Sequence, residues 1–166
     1  MELNNEYPIL DGVAPSWADI VVKATPDGGP VVDLKDIAAI SVSRTVEVGE
    51  QRGASGGRVM RRTTGAVSYE MTITFYRSGF QKFKRALAAV APARGNQRAT
   101  SLAHFDVTIQ HTPQGDDEIY ERRCNGCRVL SDTVASAEGV DADQVEVSVS
   151  VIEVVDIIDG LEVVLL

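Results

Sequence analysis

The chain has little of what most enzymes and secreted scaffolds are built from. Its 166 residues include two cysteines, two histidines and one tryptophan. Two cysteines cannot make a disulfide framework. His104 and His111 lie an odd number of residues apart on one predicted strand, so they point to opposite faces and do not serve one metal or one proton relay. No stretch reaches the roughly 20 apolar residues of a membrane helix. The opening MELNNEYPIL lacks a basic region followed by an apolar run, so no signal peptide and a soluble, cytoplasmically made protein are expected. Cations are also scarce: 16 Lys and Arg stand against 24 Asp and Glu, for a net charge of −8. That argues against a nucleic-acid grip, which needs clustered cations, but not against nucleic acid passing nearby.

What is present is enough for one well-filled domain over residues 1–166, since 44% of the residues are hydrophobic. The most informative stretch is Gly65–Ala91. Val67, Tyr69, Met71, Ile73 and Phe75 alternate with Ser68, Glu70, Thr72 and Thr74, the period of a strand with one buried and one polar face. The period then changes. Ser78 and Gln81 stand at capping-box spacing, and Phe80, Phe83, Leu87 and Val90 form one apolar stripe. The helix expected over about 78–91 stops before Pro92, because a residue preceding proline avoids helical geometry.

Around this unit the chain reads as strands. Residues 1–16 contain Pro8 and Pro15 and read as an arm. Trp17–Thr25 is a first strand with Ala18, Ile20, Val22 and Ala24 on one face, and Pro26–Pro30 is a turn. Val31–Val48 is mostly extended, anchored inward by Ile40, Val42, Val46 and Val48, with room for a helical turn at Asp33–Ile37. Further strands are expected at Thr100–His111 and Ile119–Leu130, with a turn at Thr112–Glu118 and a small, polar, acidic loop at Ser131–Asp143. Gln144–Ile158 reads as one long strand with Val145, Val147, Val149 and Val151 on one face. Asp159-Gly160 is a hairpin signal before a last strand. The fold class is mainly β: an antiparallel sandwich or barrel of six to seven strands with one flanking helix.

Three features do not fit a self-sufficient monomer. Gly49–Gly65 holds five glycines and the arginines Arg52, Arg58, Arg61 and Arg62 against Glu50, so it carries +3 on a negative protein. It reads as a long loop that does not order alone. The run Val154–Leu166 holds nine aliphatic residues, among them Val155, Ile157, Ile158, Val163, Val164 and Leu165. The strands are long and two-faced, and open edges and apolar tails are normally hidden by a partner.

The one motif with catalytic overtones is Cys124-Asn-Gly-Cys127. No second Cys/His pair completes a zinc site, and the flanks read as strand rather than the helix start of a redox pair. On a straight strand the two Cα atoms would lie about 10 Å apart on opposite faces, beyond disulfide reach. A tight Asn125-Gly126 hairpin would make them cross-strand neighbours but would leave very short arms. The expectation is therefore two reduced thiols filling space. Gly53–Gly57 lacks the Gly-Lys-Ser/Thr that would make it a phosphate loop. No enzyme activity, cofactor or metal is expected.

Several stretches together resemble bacteriophage tail tube proteins: Gly12–Ile20, Val48–Gly53, Gly57–Thr64, Tyr76–Phe83, Ala91–Gln97, Phe105–Asp117 and Asp159–Leu166. They span nearly the whole chain as a layout rather than as one short signature. The resemblance implies a β-sandwich with one flanking helix, homohexameric rings stacked into a hollow tube, and a negative lumen through which DNA passes without specific binding. It implies a tail location in the virion after assembly in the host bacterial cytoplasm. Sheath, tape measure and terminator or baseplate proteins are the implied partners, and no membrane is. The fold is shared with ring proteins of bacterial contractile injection systems, which leaves the cargo open. A soluble β-barrel binding module is the alternative reading. Under the resemblance, Gly49–Gly65 becomes an inter-subunit loop and Val154–Leu166 an interface hairpin. The polar faces of two strands supply lumen candidates: Ser68, Glu70, Thr72, Thr74, Glu146, Ser148 and Ser150. The cysteine pair is not part of what the resemblance implies, and it leaves a redox role open.

Overall fold

The computed structural model describes residues 20–54, 56–111, 120–136 and 143–164. The arm 1–16, Trp17 to Asp19, the turn 112–118, the acidic stretch 137–142 and Leu165 lie outside the described residues.

A strand interrupted by a turn emerges first: β1 (Ile20–Pro26) and β2 (Val32–Asp33) flank the Pro-Asp-Gly-Gly turn, closed by Gly29 N–H donating to the Pro26 carbonyl. Two long strands follow, β3 (Ile37–Arg52) and β4 (Val59–Tyr76), then α1 (Arg77–Val90). A short hairpin, β5 (Ala93–Arg94) and β6 (Gln97–Arg98), leads to β7 (Phe105–His111) and β8 (Tyr120–Ala135). The chain ends with β9 (Gln144–Ser150), β10 (Glu153–Ile158) and β11 (Leu161–Val164). Described strands exceed the six or seven expected because long runs break and short pieces pair. The mainly β, antiparallel class with one helix is as expected.

Two sheets share one strand. The first half of β8 pairs with β7 and β10, in the order β2-β1-β7-β8-β10-β11. Its second half leaves that sheet and pairs with β9, in the order β3-β4-β9-β8. The changeover lies at Asn125-Gly126, where Gly126 takes φ +66°. A second crossing lies against it: Gln144–Ile158 is not one strand but β9 in one sheet and β10 in the other, broken at Val151-Ile152. The two corners are joined by Ile152 N–H donating to the Asn125 carbonyl at 3.1 Å and by Asn125 Nδ2 donating to Glu153 at 3.2 Å. Asp106 accepts the Gly126 N–H at 2.9 Å. A side chain at Gly126 would sit 2.6 Å from Ile152 Cδ1, so both the backbone angle and the space demand glycine.

The kink also corrects the expected placement of the cysteines. A straight strand would aim Cys124 and Cys127 to opposite faces, but the irregular register turns both into the core, where each is fully buried. They are free thiols. Cys127 Sγ donates to the Cys124 carbonyl at 3.3 Å. Burial pushes the Cys124 thiol up to about 11 and raises Cys127 further.

The two sheets close on one core that includes Val22, Ala24, Val107 and Ile109 from one side and Met71, Ile73, Phe75, Val145, Val147 and Val149 from the other. Helix α1 seals the open side with the predicted stripe. Phe83 and Leu87 are buried, and Phe80 and Val90 pack at the margin. Phe83 stacks on Phe75 of β4 at 5.1 Å and meets Phe105 of β7 edge-on at 5.3 Å, touching both sheets with one ring. The expected Ser78/Gln81 capping box does not form. The Ser78 hydroxyl donates instead to Asp36 at 3.2 Å, Lys82 reaches the same oxygen, and the Asp36 carbonyl accepts Tyr76 N–H. A neighbouring segment thus supplies the negative charge that favours a helix start.

Four further expectations fail. Asp33–Ile37 holds no helical turn, because Leu34 N–H is taken by the Val22 carbonyl across the sheet. Val48 is exposed, because β3 has run past the core by that point. Residues 131–135 of the expected acidic loop continue β8, since β9 offers them a ladder. Gly49–Gly65 is not a loop. It is the far end of β3 and β4, paired from Val48↔Thr64 to Arg52↔Val59, and Gly53 N–H donates to the Arg58 carbonyl at 3.1 Å beyond the last rung.

Two tests follow from the corner. Gly126→Ala is expected to cost about 2–3 kcal/mol in urea unfolding. Adding Ile152→Ala should recover only part, since it removes the collision and leaves the left-handed strain. Full recovery would show that φ is not limiting. Because thiolate formation is suppressed and access closed, a disulfide-exchange reagent at pH 8 should leave both thiols unmodified in native protein and titrate two per chain in denaturant. Rapid native labelling would contradict the buried placement.

Candidate assembly surfaces

The lumen candidates fall on one face. Directly opposed residues of antiparallel strands share a side, and the registers line up across four strands. Ala39, Thr74, Glu146 and Thr133 form one row, and Ser41, Thr72, Ser148 and Ser131 the next. Ser43, Glu70, Ser150 and Arg128 form a third, and Thr45 and Ser68 a fourth. The other face of the same strands is the core. All seven candidates therefore lie together, and Ser41, Ser43, Thr45, Ser131 and Thr133 join them. Sequence reasoning missed Ser131 and Thr133 because that stretch read as a loop, and Ser41, Ser43 and Thr45 because a period gives a polar face without saying which strand lies beside it. The one cation in these rows, Arg128, donates its Nε to the Ser101 carbonyl at 3.1 Å. The face is a lawn of hydroxyls with Glu70 and Glu146 exposed on it.

The four arginines sit on a projecting ribbon. Pairing of β4 with β9 ends at Glu70↔Ser150, and among the described residues β3 pairs with β4 alone, so beyond the rung Ser43↔Glu70 the two strands continue without a third. At about 3.3 Å per residue the run from Arg44 to Arg52 extends roughly 25 Å. Glycines let the ribbon strands close up. A side chain at Gly49 would lie 2.5 Å from Thr63 Oγ1, and one at Gly65 would lie 2.9 Å from the Glu47 carbonyl oxygen. Arg52 and Arg62 flank Glu50 at 3.4 and 3.8 Å. Arg58 and Arg61 have no ion-pair partner among the described residues. All four arginines are exposed.

The C-terminal hairpin divides the third set of candidates. Asp159 (φ +50°) and Gly160 (φ +79°) form the tight turn that the sequence signals. Val155 is buried within the subunit itself and is no free interface residue, because β10 is flanked on both sides by β8 and β11. Ile157 is half-buried. Ile158, Val163 and Val164 are exposed, with Leu161 beside them, and β11 has an unpaired outer edge among the described residues.

One charged cluster was not foreseen. Asp156 is 6% exposed, beneath the ribbon's root. Arg122 holds it through Nε at 2.7 Å and Nη2 at 3.4 Å, and Arg44 reaches it from β3 at 2.8 Å. Arg122 Nη2 also donates to the Tyr120 hydroxyl at 2.8 Å. Burial by itself would raise the Asp156 pKa, but hydrogen bonds from Arg122 and Tyr120 and the two guanidinium charges outweigh it and hold the carboxyl below the usual range. Its contribution to stability is therefore complete above the ordinary carboxylate range and fades as pH falls through the depressed value. An aspartate in a valine run gives no sequence cue to this, since its partners lie on other strands.

A cleft of about 500 Å³ is lined by Thr25, Pro26, Asp27, His104, Phe105 and Asp106, but the Asp106 carboxylate is committed to Gly126. Among the described residues no three His, Cys, Asp or Glu side chains are placed to hold a metal, and no helix is long and apolar enough to cross a membrane.

No protein-family model and no curated protein matches the chain. Solved structures do. A chain in the sheath/tube terminator of an extracellular contractile injection system, in its extended state, superposes with a TM-score of 0.62 at 14% identity, covering 89% of this chain and 98% of that one. A chain in the six-fold symmetrised baseplate of the anti-feeding prophage gives 0.60 at 13% identity, covering 89% and 95%. A chain in the tube-terminating cap of the same prophage gives 0.60 at 13%, covering 94% and 98%. At such identities the likeness is one of architecture. The fold those structures share with this chain is that of a tail tube protein.

Proposed function

We propose that this protein is a structural subunit of a tail tube, without catalytic activity. Copies close into rings of six, and the rings stack into a hollow tube. The observation that carries this reading is the hydroxyl face of the sheet β3-β4-β9-β8. It continues across four strands, with a core behind it, and in its paired rows Arg128 is the one cation beside Glu70 and Glu146. In a ring that face becomes the channel wall. Cations there would bind phosphates and slow passage, whereas hydroxyls and acids leave a sliding duplex screened by water and counterions.

Two other surfaces serve assembly. The ribbon carries Arg52, Arg58, Arg61 and Arg62 toward the acidic surface of a neighbouring copy, a complementary pairing that supplies register and orientation. The exposed Ile158, Leu161, Val163 and Val164 on the open-edged C-terminal hairpin are covered by an adjacent subunit. Sheath, tape measure, terminator and baseplate proteins are the further partners of such a tube, in a tail put together in the host cytoplasm. The solved neighbours from contractile injection systems favour a second version, in which the tube belongs to such a system and conveys another cargo.

Negative-stain electron microscopy of the purified protein tests the reading: rings or tubes support it, and a uniform monomer at high concentration overturns it. Arg58→Glu with Arg61→Glu should leave a folded subunit that polymerises at least tenfold less readily, read by sedimentation. Normal tubes from that variant would remove the ribbon's role. Glu70→Lys with Glu146→Lys should preserve rings and reduce DNA delivery. A resolved tube with both glutamates on its outer wall would end the lumen assignment.

A further inference from the structure

A two-stranded ribbon is marginal in water unless something holds it. Among the described residues the last rung with a third strand beside it is Ser43↔Glu70; the next, Arg44↔Tyr69, has none, although Tyr69 packs against the core. Arg44 is therefore the first residue of β3 on the free ribbon, and its side chain points inward. Its Nη2 lies 2.8 Å from Asp156 Oδ2 on β10, in the opposite sheet. Both groups are largely withdrawn from water, with side-chain exposures of 21% and 8%. The link is thus a desolvated, charge-assisted contact rather than a surface pair.

We propose that Arg44 is a positioning residue that fixes the direction in which the ribbon leaves the body, with Asp156 as its anchor. Two features make direction, rather than fold, the property it controls. Asp156 keeps both contacts from Arg122 on β8 without it, at 2.7 and 3.4 Å, so loss of Arg44 does not orphan a buried carboxylate. Just beyond the contact, between Val46↔Val67 and Val48↔Thr64, Gly65 and Ala66 of β4 stand against Glu47 of β3, and such a bulge bends and twists a strand pair. The tie lies on the body side of this bulge, so it sets the direction in which the strand pair enters it. At roughly 25 Å from root to tip, a rotation of about 20° at Arg44 moves the tip arginines by close to 9 Å, past any ion pair they could make. The consequence for assembly rests on the tube reading above. The positioning itself does not.

The test reads the ribbon in isolated subunits. Spin labels at Ala54→Cys on the ribbon and Arg85→Cys on α1 are placed on protein held below its assembly concentration, where the buried native thiols stay unlabelled. With Arg44 present the inter-label distance should be a single narrow distribution. Arg44→Met should at least double its width while the thermal midpoint stays near the parent's, and Arg44→Lys should recover most of the narrowing. If Arg44→Met does not fold, Arg44→Gln is measured in its place. An unchanged width in the folded variant overturns the proposal. In parallel, Arg44→Met should need at least tenfold more protein to polymerise. A parent that never polymerises would remove the tube reading and leave the widths to decide the positioning claim.

Discussion

Strand β8 has to belong to two sheets, and the glycine that allows it sets the shape of everything else. Because Gly126 turns the strand, its first half can complete a sheet with β7 and β10 while its second half borders β9. The two sheets are thereby held face to face by covalent continuity at one corner, reinforced by the crossing from β9 to β10 against it. The remaining opening is what α1 fills. Phe83, between Phe75 and Phe105, works only because the corner sets the spacing between those two rings.

The same arrangement decides which surfaces are left over. The second sheet spends one face on the core, so its other face must be tolerable to water, and serine and threonine meet both demands of an extended backbone and a polar surface. Since β9 is only seven residues long, β4 runs out of neighbours on that side while β3 and β4 still have residues to pair. The ribbon is thus the excess length of two strands over the sheet that supports them. Its polarity, its narrow glycines and its arginines are all properties of a segment with no core to face.

Much of this was legible in the chain. Periods of two and 3.6 around Tyr76 placed β4, α1 and the polar candidates, and Asp159-Gly160 placed the last turn. Where reading failed, the deciding contacts were distant in sequence. Five glycines made residues 49–65 read as a loop, although each glycine that weakens a lone strand also lets two strands approach. The valine run 144–158 read as one strand because hydrophobicity does not reveal a change of sheet. Cys124 and Cys127 read as opposite-facing because a bulge is invisible to a period. Asp156 carried no signal at all, since a carboxylate between two strands of valines becomes intelligible only once Arg44 and Arg122 are beside it.

Charge adds a constraint that shape does not. Each copy carries −8 overall, while Gly49–Gly65 carries +3, so the rest of the subunit carries −11. Copies brought together repel one another except where a ribbon meets a body. With screening lengths of about 8 Å at physiological ionic strength, the body-to-body repulsion fades over a few water layers, whereas closely seated arginines keep their attraction. On the proposed tube reading, encounters are productive chiefly in the orientation that delivers a ribbon to an acidic surface. A ribbon free to swing would deliver its charge in many orientations and lose that selectivity. On the two proposals made above, the buried Arg44–Asp156 contact and the exposed arginines act on one quantity from two ends: the first sets where the positive charge points, and the second sets what it can hold.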